Sequence, residues 1–388
     1  MRSDMEAELR AAFRESTSAL APAPDLAERV YRATRRRRRS IAGGSGVIAL
    51  TLAISLIAAA VKEGHGEGRR QTANGNSIVS IPVSAGVDAI AVAGSVLYVG
   101  SGDTPGGDAA LTAYDATTGD ALGNIHVPAR PQAITIGADG SVWLTFYPDQ
   151  NGGSAGVWRL SSDLARRSTL GLDTSQYKGA APFDVLPTGG DRAVVATEFG
   201  LATVELPPPG QSGRAIFALR AINPKGVTPV ELAALRGEVA VRQEPQVAGV
   251  NPRIVIDGQP GRVFDAGAGE QITSMASSPD GLWVTTQSSQ GRSLQLLDEQ
   301  LRQIEPGPIV DDHAIGEPER VWARGRTVWL AVSGGETSLV CFVFERDREV
   351  KATIKTVGTP KLLAATANEV FVVEKRGITG YRIPTACR

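Results

Sequence analysis

Short apolar runs recur along residues 77–388, each centred on an aromatic or small apolar residue. Five of the seven centres are aromatic and are flanked by Val or Leu, which favours strands buried between neighbouring sheets. Successive centres are 42 to 52 residues apart, which indicates one repeated unit. The centres are Tyr98, Trp143, Val195, Ala240, Trp283, Trp329 and Phe371.

A second marker lies 11 to 13 residues before each centre and stays in phase with it. It is Pro in five copies and Val or Ile in the other two. Pro fixes φ and has no N–H to donate, so it suits the start of a strand rather than its middle. The markers are Val87, Pro131, Pro182, Pro229, Ile272, Pro318 and Pro360.

Each repeat predicts four strands. The first follows the marker, a turn such as 137–140 leads to the second, and two further strands return toward the next marker. Four strands in roughly 45 residues are typical of one propeller blade. The last copy has three strands, while residues 77–83 form a spare strand. We therefore predict an all-β, seven-bladed β-propeller over residues 77–388, closed by this N-terminal strand. Two unrelated β-sandwiches would leave the seven in-phase copies unexplained.

Residues 41–61 form an uncharged apolar run that is long enough, as a helix, to span the about 30 Å hydrocarbon core of a bilayer. Five Arg residues, 35–39, precede it, and few basic residues follow it. We predict a single transmembrane helix in the cell membrane, with the N-terminus in the cytoplasm and the propeller extracytoplasmic. A cleaved signal peptide is the alternative, although such peptides have shorter apolar runs and shorter leading segments.

Residues 1–40 predict a short cytoplasmic arm of two helices that ends in the Arg run. Its apolar side chains at helical spacing are Leu9, Phe13, Leu26 and Val30. Two such helices cannot bury a core alone. The arm is therefore either a loose juxtamembrane segment or an interface that orders on a partner. The Gly-rich residues 62–76 predict a flexible linker.

The repeat resembles the propeller repeats of the YVTN, NHL and virginiamycin B lyase-like kind. The segments that carry this likeness are 129–134, 140–145 and 278–286. It covers about 310 residues, and it implies a fold without implying one activity.

The layout of residues 1–61 resembles that of single-pass anti-sigma factors, with a helical arm, an Arg run, one span and an outer domain. This resemblance implies a cytoplasmic regulator such as a sigma factor as the partner of the arm. The chain departs from the zinc-binding type, because residues 1–61 contain no Cys or His.

The residue directly after each marker is expected to reach toward the central channel of the propeller. Most of these residues are polar or charged, which suits a ring that binds a ligand or peptide and also suits a merely solvated channel. The predicted ligand-binding residues are Asp88, Gln132, Phe183, Thr273, Glu319 and Lys361, and Val230 occupies the same position in the fourth copy.

Asp311, Asp312 and His313 are the candidates for catalysis, in a loop that runs to Glu319. Carboxylates and an imidazole together can bind a divalent metal or exchange protons. A lyase of the virginiamycin B type would need more His and acidic ligands than this loop offers. A cell-surface lyase or hydrolase is thus one alternative function, and a passive envelope scaffold is another. We predict no metal and no cofactor.

The two cysteines, Cys341 and Cys387, both fall in the predicted outer domain. An even number of cysteines outside the membrane permits a disulfide, provided that the Cα atoms lie within about 7 Å. Two free thiols are the alternative.

Charge argues against a nucleic-acid partner. The chain has 40 Lys and Arg against 41 Asp and Glu, but ten Arg and six acidic residues lie in 1–40. The remainder therefore carries about −5, which does not suit binding to phosphate backbones. The expected function is binding or sensing outside the membrane, relayed to a cytoplasmic partner.

Overall fold

The computed structural model describes residues 77–83, 86–102, 109–147, 155–172, 181–220, 226–304, 317–333, 338–343, 350–356, 360–374 and 377–388. The predicted arm, transmembrane helix and linker, residues 1–76, lie outside these ranges. Within them, no helix has the length and apolar character needed to cross a bilayer. The only helix in the described ranges is the 3-10 turn Thr385–Cys387.

The described residues form seven antiparallel sheets, and the chain visits them in order around a ring. The strand that closes the ring, β1 (Ser77–Ile81), comes first in the chain and belongs to blade 7. In blades 1 to 3 the strands are β2 (Gly86–Ala93), β3 (Val96–Gly102), β4 (Ala110–Asp115), β5 (Ala121–His126), β6 (Arg130–Ile136), β7 (Val142–Tyr147), β8 (Gly156–Leu160), β9 (Arg167–Gly171), β10 (Pro182–Gly189), β11 (Arg192–Thr197), β12 (Gly200–Glu205) and β13 (Ile216–Arg220).

Blades 4 to 7 continue the same antiparallel order. Their strands are β14 (Val227–Leu235), β15 (Glu238–Pro245), β16 (Arg253–Ile256), β17 (Gln259–Asp265), β18 (Gln271–Ser278), β19 (Gly281–Ser288), β20 (Gly291–Leu297), β21 (Glu317–Arg324), β22 (Thr327–Ser333), β23 (Ser338–Val343), β24 (Val350–Lys355), β25 (Leu363–Ala365), β26 (Glu369–Glu374) and β27 (Gly377–Arg382). Blade 5 shows three strands in its described part, and an isolated antiparallel bridge pairs Leu297 with Gln303. The predicted seven-bladed propeller is confirmed.

The seven repeat centres all lie on the second strand of a blade and are fully buried, including Trp283 at 0% exposure. Apolar side chains form seven clusters, and each cluster fills the gap between two neighbouring blades. The second strand alternates its side chains between the two gaps. Because a sheet covered on both faces needs apolar residues on both, the sequence shows runs rather than a clean alternation at these centres.

The ring closes between the first and last blades. Strand β1 pairs antiparallel with β27, so the fourth strand of blade 7 comes from the other end of the repeat region. Val79 and Ile81 pack with Phe371 and with Leu97 of blade 1. The predicted closure by an N-terminal strand is confirmed, and it leaves blade 7 with four strands.

A buried arginine joins blades 2 and 3 at the lower face, where the first strand of each blade turns into the second. The Arg159 guanidinium donates to Asp139 at 2.6 Å, to Asp191 at 2.5 Å and to the Leu206 carbonyl at 2.8 Å. It also lies 5.5 Å from the centroid of the Trp143 ring. Burial alone would raise the pKa of Asp139, but hydrogen bonds from Ser141 and Arg159 outweigh it and lower the pKa to about 2.

Cys341 on β23 and Cys387 in the C-terminal 3-10 turn form a disulfide, with their Cα atoms 6.3 Å apart. Both residues are buried in the cluster between blades 6 and 7. The Thr327 hydroxyl donates to the Cys387 carbonyl at 3.2 Å, which holds the tail against blade 6 a second time.

Candidate functional site

The first strands of neighbouring blades contact one another, as β2 does with β6 and with β25. Each first strand is also the edge of its sheet, paired on one side only. The first strands therefore surround the axis of the ring. We call the end at which they begin the upper face; the second strands end at the same face.

A β-bulge interrupts the pairing of the first and second strands near the upper face of six blades. In each case the register shifts directly after the marker, so that the next residue has no partner on the second strand. Such a bulge bends the strand and re-aims a side chain. The bulged residues are Asp88, Gln132, Phe183, Val230, Thr273 and Glu319.

Blade 7 has the same irregularity in its backbone hydrogen bonds. The Lys361 N–H donates to the Val373 carbonyl at 3.3 Å, and the Val373 N–H donates to the Leu362 carbonyl at 3.0 Å. Lys361 and Leu362 on one strand thus both lie opposite Val373 on the other, as two residues lie opposite one in a bulge. The residues predicted to reach the channel are therefore brought together at the start of the seven first strands. Five of the bulged side chains are half-buried and Lys361 is exposed; for Glu319 only the backbone is described.

Among the described side chains, three of the bulged residues make polar contacts. The Gln132 Nε2 donates to the Arg130 carbonyl at 3.2 Å. The Asp88 carboxylate accepts a hydrogen bond from the Gly102 N–H at 2.9 Å and pairs with Arg130 of the next blade. The Thr273 hydroxyl lies 2.8 Å from that of Thr285 on the second strand of its own blade. We call the opening that the bulged residues surround the mouth of the ring. The mouth has a charged pair at blades 1 and 2.

Two further carboxylates link successive blades just below the mouth. Asp184 follows the bulged Phe183 and accepts the Leu232 N–H of blade 4 at 2.8 Å. Glu231 follows the bulged Val230 and accepts the Met275 N–H of blade 5 at 3.3 Å. Because a first strand has an unpaired edge, its N–H groups need such partners from outside their own sheet.

Asp184 is an acid with an altered proton affinity. Burial, aided by the nearby Glu231 carboxylate, raises its pKa from 3.8 to about 7, although the N–H groups of Leu232 and Val185 oppose the rise. Glu231 also accepts the Arg242 Nε at 2.6 Å. Arg242 donates in addition to Glu244 at 3.0 Å, so that a row of three acids and one arginine runs across blades 3 and 4.

Asp184 and Glu231 were not predicted from the sequence. Their signal is an acidic residue inside an otherwise apolar first strand, in Phe183-Asp184-Val185 and Val230-Glu231-Leu232. A charge at such a position needs a partner, which here comes from the next blade.

Several predicted site residues lie outside the described residues. Neither the loop candidates Asp311, Asp312 and His313 nor the arm residues receive a position in the structure. The arm residues are Leu9, Phe13, Leu26 and Val30. In the ranges that are described, no group of three or more His, Cys, Asp or Glu is placed to hold a metal ion.

The fold and the ring of first strands define a seven-bladed β-propeller. No protein-family model matches the chain, and no curated protein matches it in sequence. The β-propeller domain of Myceliophteria thermophila Cps50 (Swd1) is 10% identical, with 80% of this chain and 99% of that chain covered and a TM-score of 0.55.

Two other solved structures are similar. Saccharomyces cerevisiae Sqt1 is 10% identical over 80% of this chain and 99% of its own, with a TM-score of 0.52. YCF48, solved bound to D1 peptide, is 15% identical over 79% of this chain and 96% of its own, with a TM-score of 0.51. At such low identity, these likenesses show the fold alone.

Proposed function

We propose that the protein is a binding module that receives a ligand or a protein partner at the upper mouth of its ring. The repeated bulge supports this proposal. It leaves one residue per blade without a partner on the second strand, at the same position in each blade, while the buried clusters between the blades stay intact. The mouth combines charged, polar and apolar side chains, as binding sites do. YCF48, which has a similar fold, was solved with a bound peptide, so the fold accommodates such a ligand.

The test is site-specific photo-crosslinking with the full-length protein in intact host cells. A benzophenone amino acid replaces Gln132 at the mouth or, as a control, Leu122, which is 58% exposed on the outer strand β5. We expect discrete adducts from position 132 and none of the same mass from position 122. Equal adduct patterns, or no adduct from the mouth, would refute the proposal.

We further propose that residues 41–61 anchor the propeller at the outer side of the cell membrane. The uncharged run, the preceding Arg residues and the disulfide in the propeller support this topology, since disulfides persist in oxidising compartments. Alkaline phosphatase fused after residue 76 should be active, whereas the same enzyme fused after residue 40 should be inactive. The reverse pattern would contradict the proposed orientation.

The third part of the proposal is that residues 1–40 bind a cytoplasmic regulator such as a sigma factor. Its support is the helical spacing of four apolar residues beside the Arg run. Full-length tagged protein is isolated from solubilised host membranes, alongside a variant with Asp at the four positions. They are Leu9, Phe13, Leu26 and Val30. A sigma factor retained by the native arm alone supports this role, and equal retention by both proteins refutes it.

A further inference from the structure

Blades 3 and 4 depart from the other blades at the mouth of the ring. Their bulged residues, Phe183 and Val230, are apolar, and each is followed directly by an acid, Asp184 or Glu231. The bulged residues of blades 1, 2, 5, 6 and 7 are polar or charged, and none of them is followed by an acid. Two neighbouring blades thus share a chemistry that the repeat itself does not require.

The tips of the hairpins between second and third strands extend the same chemistry outward. Phe199, at the tip between β11 and β12, is 46% exposed, and Val247, after β15, is 53% exposed. Burial of these exposed apolar side chains against a partner would be favourable, because it removes apolar surface from water. Over the described residues, these are two of the five most exposed large hydrophobic side chains.

Backbone hydrogen bonds hold both tips beside the bulged strands. The Glu198 N–H donates to the Ala181 carbonyl at 3.0 Å, directly before β10 begins. The Gln246 N–H donates to the Gly226 carbonyl at 2.6 Å, directly before β14 begins. Val247 also covers Gly226, where an added Cβ would lie 2.9 Å from its Cγ2. The exposed tips and the apolar bulges therefore lie at the same face of two adjacent blades.

Glu198 adds an unneutralised charge to this surface. It precedes Phe199, it is half-buried, and burial raises its pKa. Its carboxylate makes no ion pair or hydrogen bond within the described part of the chain. A carboxylate that is partly desolvated and unpaired is costly, and a cation from another molecule would offset that cost.

The corresponding tip of blade 5 shows that this surface is not a general property of the fold. There the hairpin between β19 and β20 turns through Ser289 and Gln290. A polar tip is the usual solution for a solvated loop.

We propose that the blade 3–4 patch, made of Phe183, Glu198, Phe199, Val230 and Val247, binds a segment of a partner protein that carries aliphatic or aromatic side chains beside Lys or Arg. This inference deepens the proposed function, because it names the partner chemistry for one sector of the mouth. The apolar side chains of the partner cover Phe199 and Val247. Its cationic groups approach Glu198 and the acidic row formed by Asp184, Glu231 and Glu244. Arg242 lies among these acids and is already paired to Glu231 and Glu244.

The opposite charge pattern would not fit this surface. An acidic partner would face several carboxylates at close range, and like charges at an interface oppose binding. A purely polar cationic partner would leave Phe199 and Val247 in water. The patch therefore selects for the combination of apolar and basic groups.

The test measures binding of defined peptides to the purified full-length protein by fluorescence anisotropy. One 12-residue peptide alternates Leu and Phe with Lys and Arg, a second replaces the basic residues by Glu, and a third replaces the apolar residues by Ser. We expect the first peptide to bind at least tenfold more tightly than the other two. Equal affinity for all three would overturn the proposal.

Variants locate the binding on the protein. A Phe199→Ser/Val247→Ser double variant should bind the first peptide at least tenfold more weakly. Glu198→Gln should weaken binding less and should reduce its dependence on salt concentration, because one charge contact is lost. Leu122→Ser removes an equally exposed apolar side chain on blade 1 and should change the affinity less than twofold. If the double variant binds as the wild type does, the peptide occupies another surface and the proposal fails.

The two proposals fail in different ways. If crosslinking at position 132 gives no adducts, the proposed function is refuted, and peptide binding that the double variant weakens then locates a patch that no partner at position 132 uses in the cell. If that crosslinking succeeds but the three peptides bind alike, the mouth binds a partner of different chemistry, and the blade 3–4 assignment alone is refuted.

Discussion

Asp184 ties the stability of the ring to pH. Its pKa is raised from 3.8 to about 7 in the folded protein. The folded state therefore binds a proton that the unfolded state releases, and stability falls as pH rises through this window. At about 1.4 kcal/mol per pKa unit, the loss from this group between pH 5 and pH 8 is roughly 2–3 kcal/mol. In an Asp184→Asn variant this loss is absent. The unfolding free energy of the wild type should therefore rise relative to that of the variant as pH falls from 8 to 5. Urea unfolding of both proteins at the two pH values measures this change.

Asp139→Asn is the matched control for this experiment. The pKa of Asp139 lies at about 2, so its carboxylate stays ionised at both pH values and its contribution would be lost only in stronger acid. The difference in unfolding free energy between this variant and the wild type should be the same at pH 5 and pH 8. If Asp184→Asn also shows a constant difference, the raised pKa is wrong.

Arg159 is the residue on which we expect the largest effect of a single charge. It is 2% exposed, and it joins two turns, one carbonyl and one indole across blades 2 and 3. Arg159→Met keeps much of the apolar contact and removes every donor. We expect a loss of about 2–4 kcal/mol of unfolding free energy, because the hydrogen bonds to Asp139, Asp191 and the Leu206 carbonyl are lost. The loss stays below that of breaking a fully buried ion pair, because both carboxylates reach solvent.

Arg192→Met tests whether the effect of Arg159 comes from its enclosure. Arg192 also pairs with a carboxylate, Glu205, but its side chain is 66% exposed. Exposed pairs contribute about 0–1 kcal/mol. Equal losses in thermal or urea unfolding for the two variants would contradict the role given to Arg159.

At the residue scale, the sequence was informative where a position repeats, although ligand binding by these residues stays a prediction. The residues after the markers could be identified because the same spacing occurs seven times. The bulge itself could not be predicted, since a register shift depends on how two strands pair. Arg159 was missed for a related reason, because two of its partners lie on the adjacent blade, which no local pattern describes. Asp184 does have a local signal, an acidic residue in an apolar strand, but its Leu232 partner also lies on the adjacent blade.

At the scale of single elements, β1 depends on a close approach to β27. Gly380 lies where an added Cβ would overlap the Val79 side chain and lie 3.0 Å from the Phe371 ring. Gly380→Ala should therefore push β1 away and cost about 1–3 kcal/mol, as overpacked cores do. Hydrogen exchange should show faster exchange in Ser77–Ile81 than in the wild type.

Gly171→Ala provides the control for β1. Gly171 ends an outer strand, β9, and an added Cβ there meets nothing within 4 Å. This variant should match the wild type in both unfolding and exchange. If Gly380→Ala also matches it, β1 tolerates the added methyl and the packing argument fails.

The elements themselves were largely predictable. The aromatic or small apolar repeat centres predicted the second strand of each blade. Because the last copy lacks a fourth strand, residues 77–83 were predicted to supply it. The sequence could not show that Pro360 precedes its strand by three residues whereas Pro131, Pro182 and Pro229 lie within theirs. Pro at the inner edge of a sheet is tolerated on either side of the boundary, because that edge donates no ladder hydrogen bond.

At the scale of the whole molecule, the ring has one seam, and the disulfide lies next to it. Blade 7 combines the two ends of the repeat region, and Cys387 fastens the tail beyond β27 to β23 of blade 6. The two cysteines are 46 residues apart, so the bond limits the freedom of the unfolded chain within blades 6 and 7.

Replacing both cysteines by Ser should therefore lower the unfolding free energy by about 2–4 kcal/mol. The wild type should lose a similar amount when a reductant is added, whereas the Cys341→Ser/Cys387→Ser variant should not respond. Chemical unfolding followed by intrinsic Trp fluorescence, with and without reductant, measures both effects. The Ser residues are buried in an apolar cluster, so a large loss in the variant with no effect of reductant on the wild type would assign the cost to desolvated hydroxyls instead of the bond.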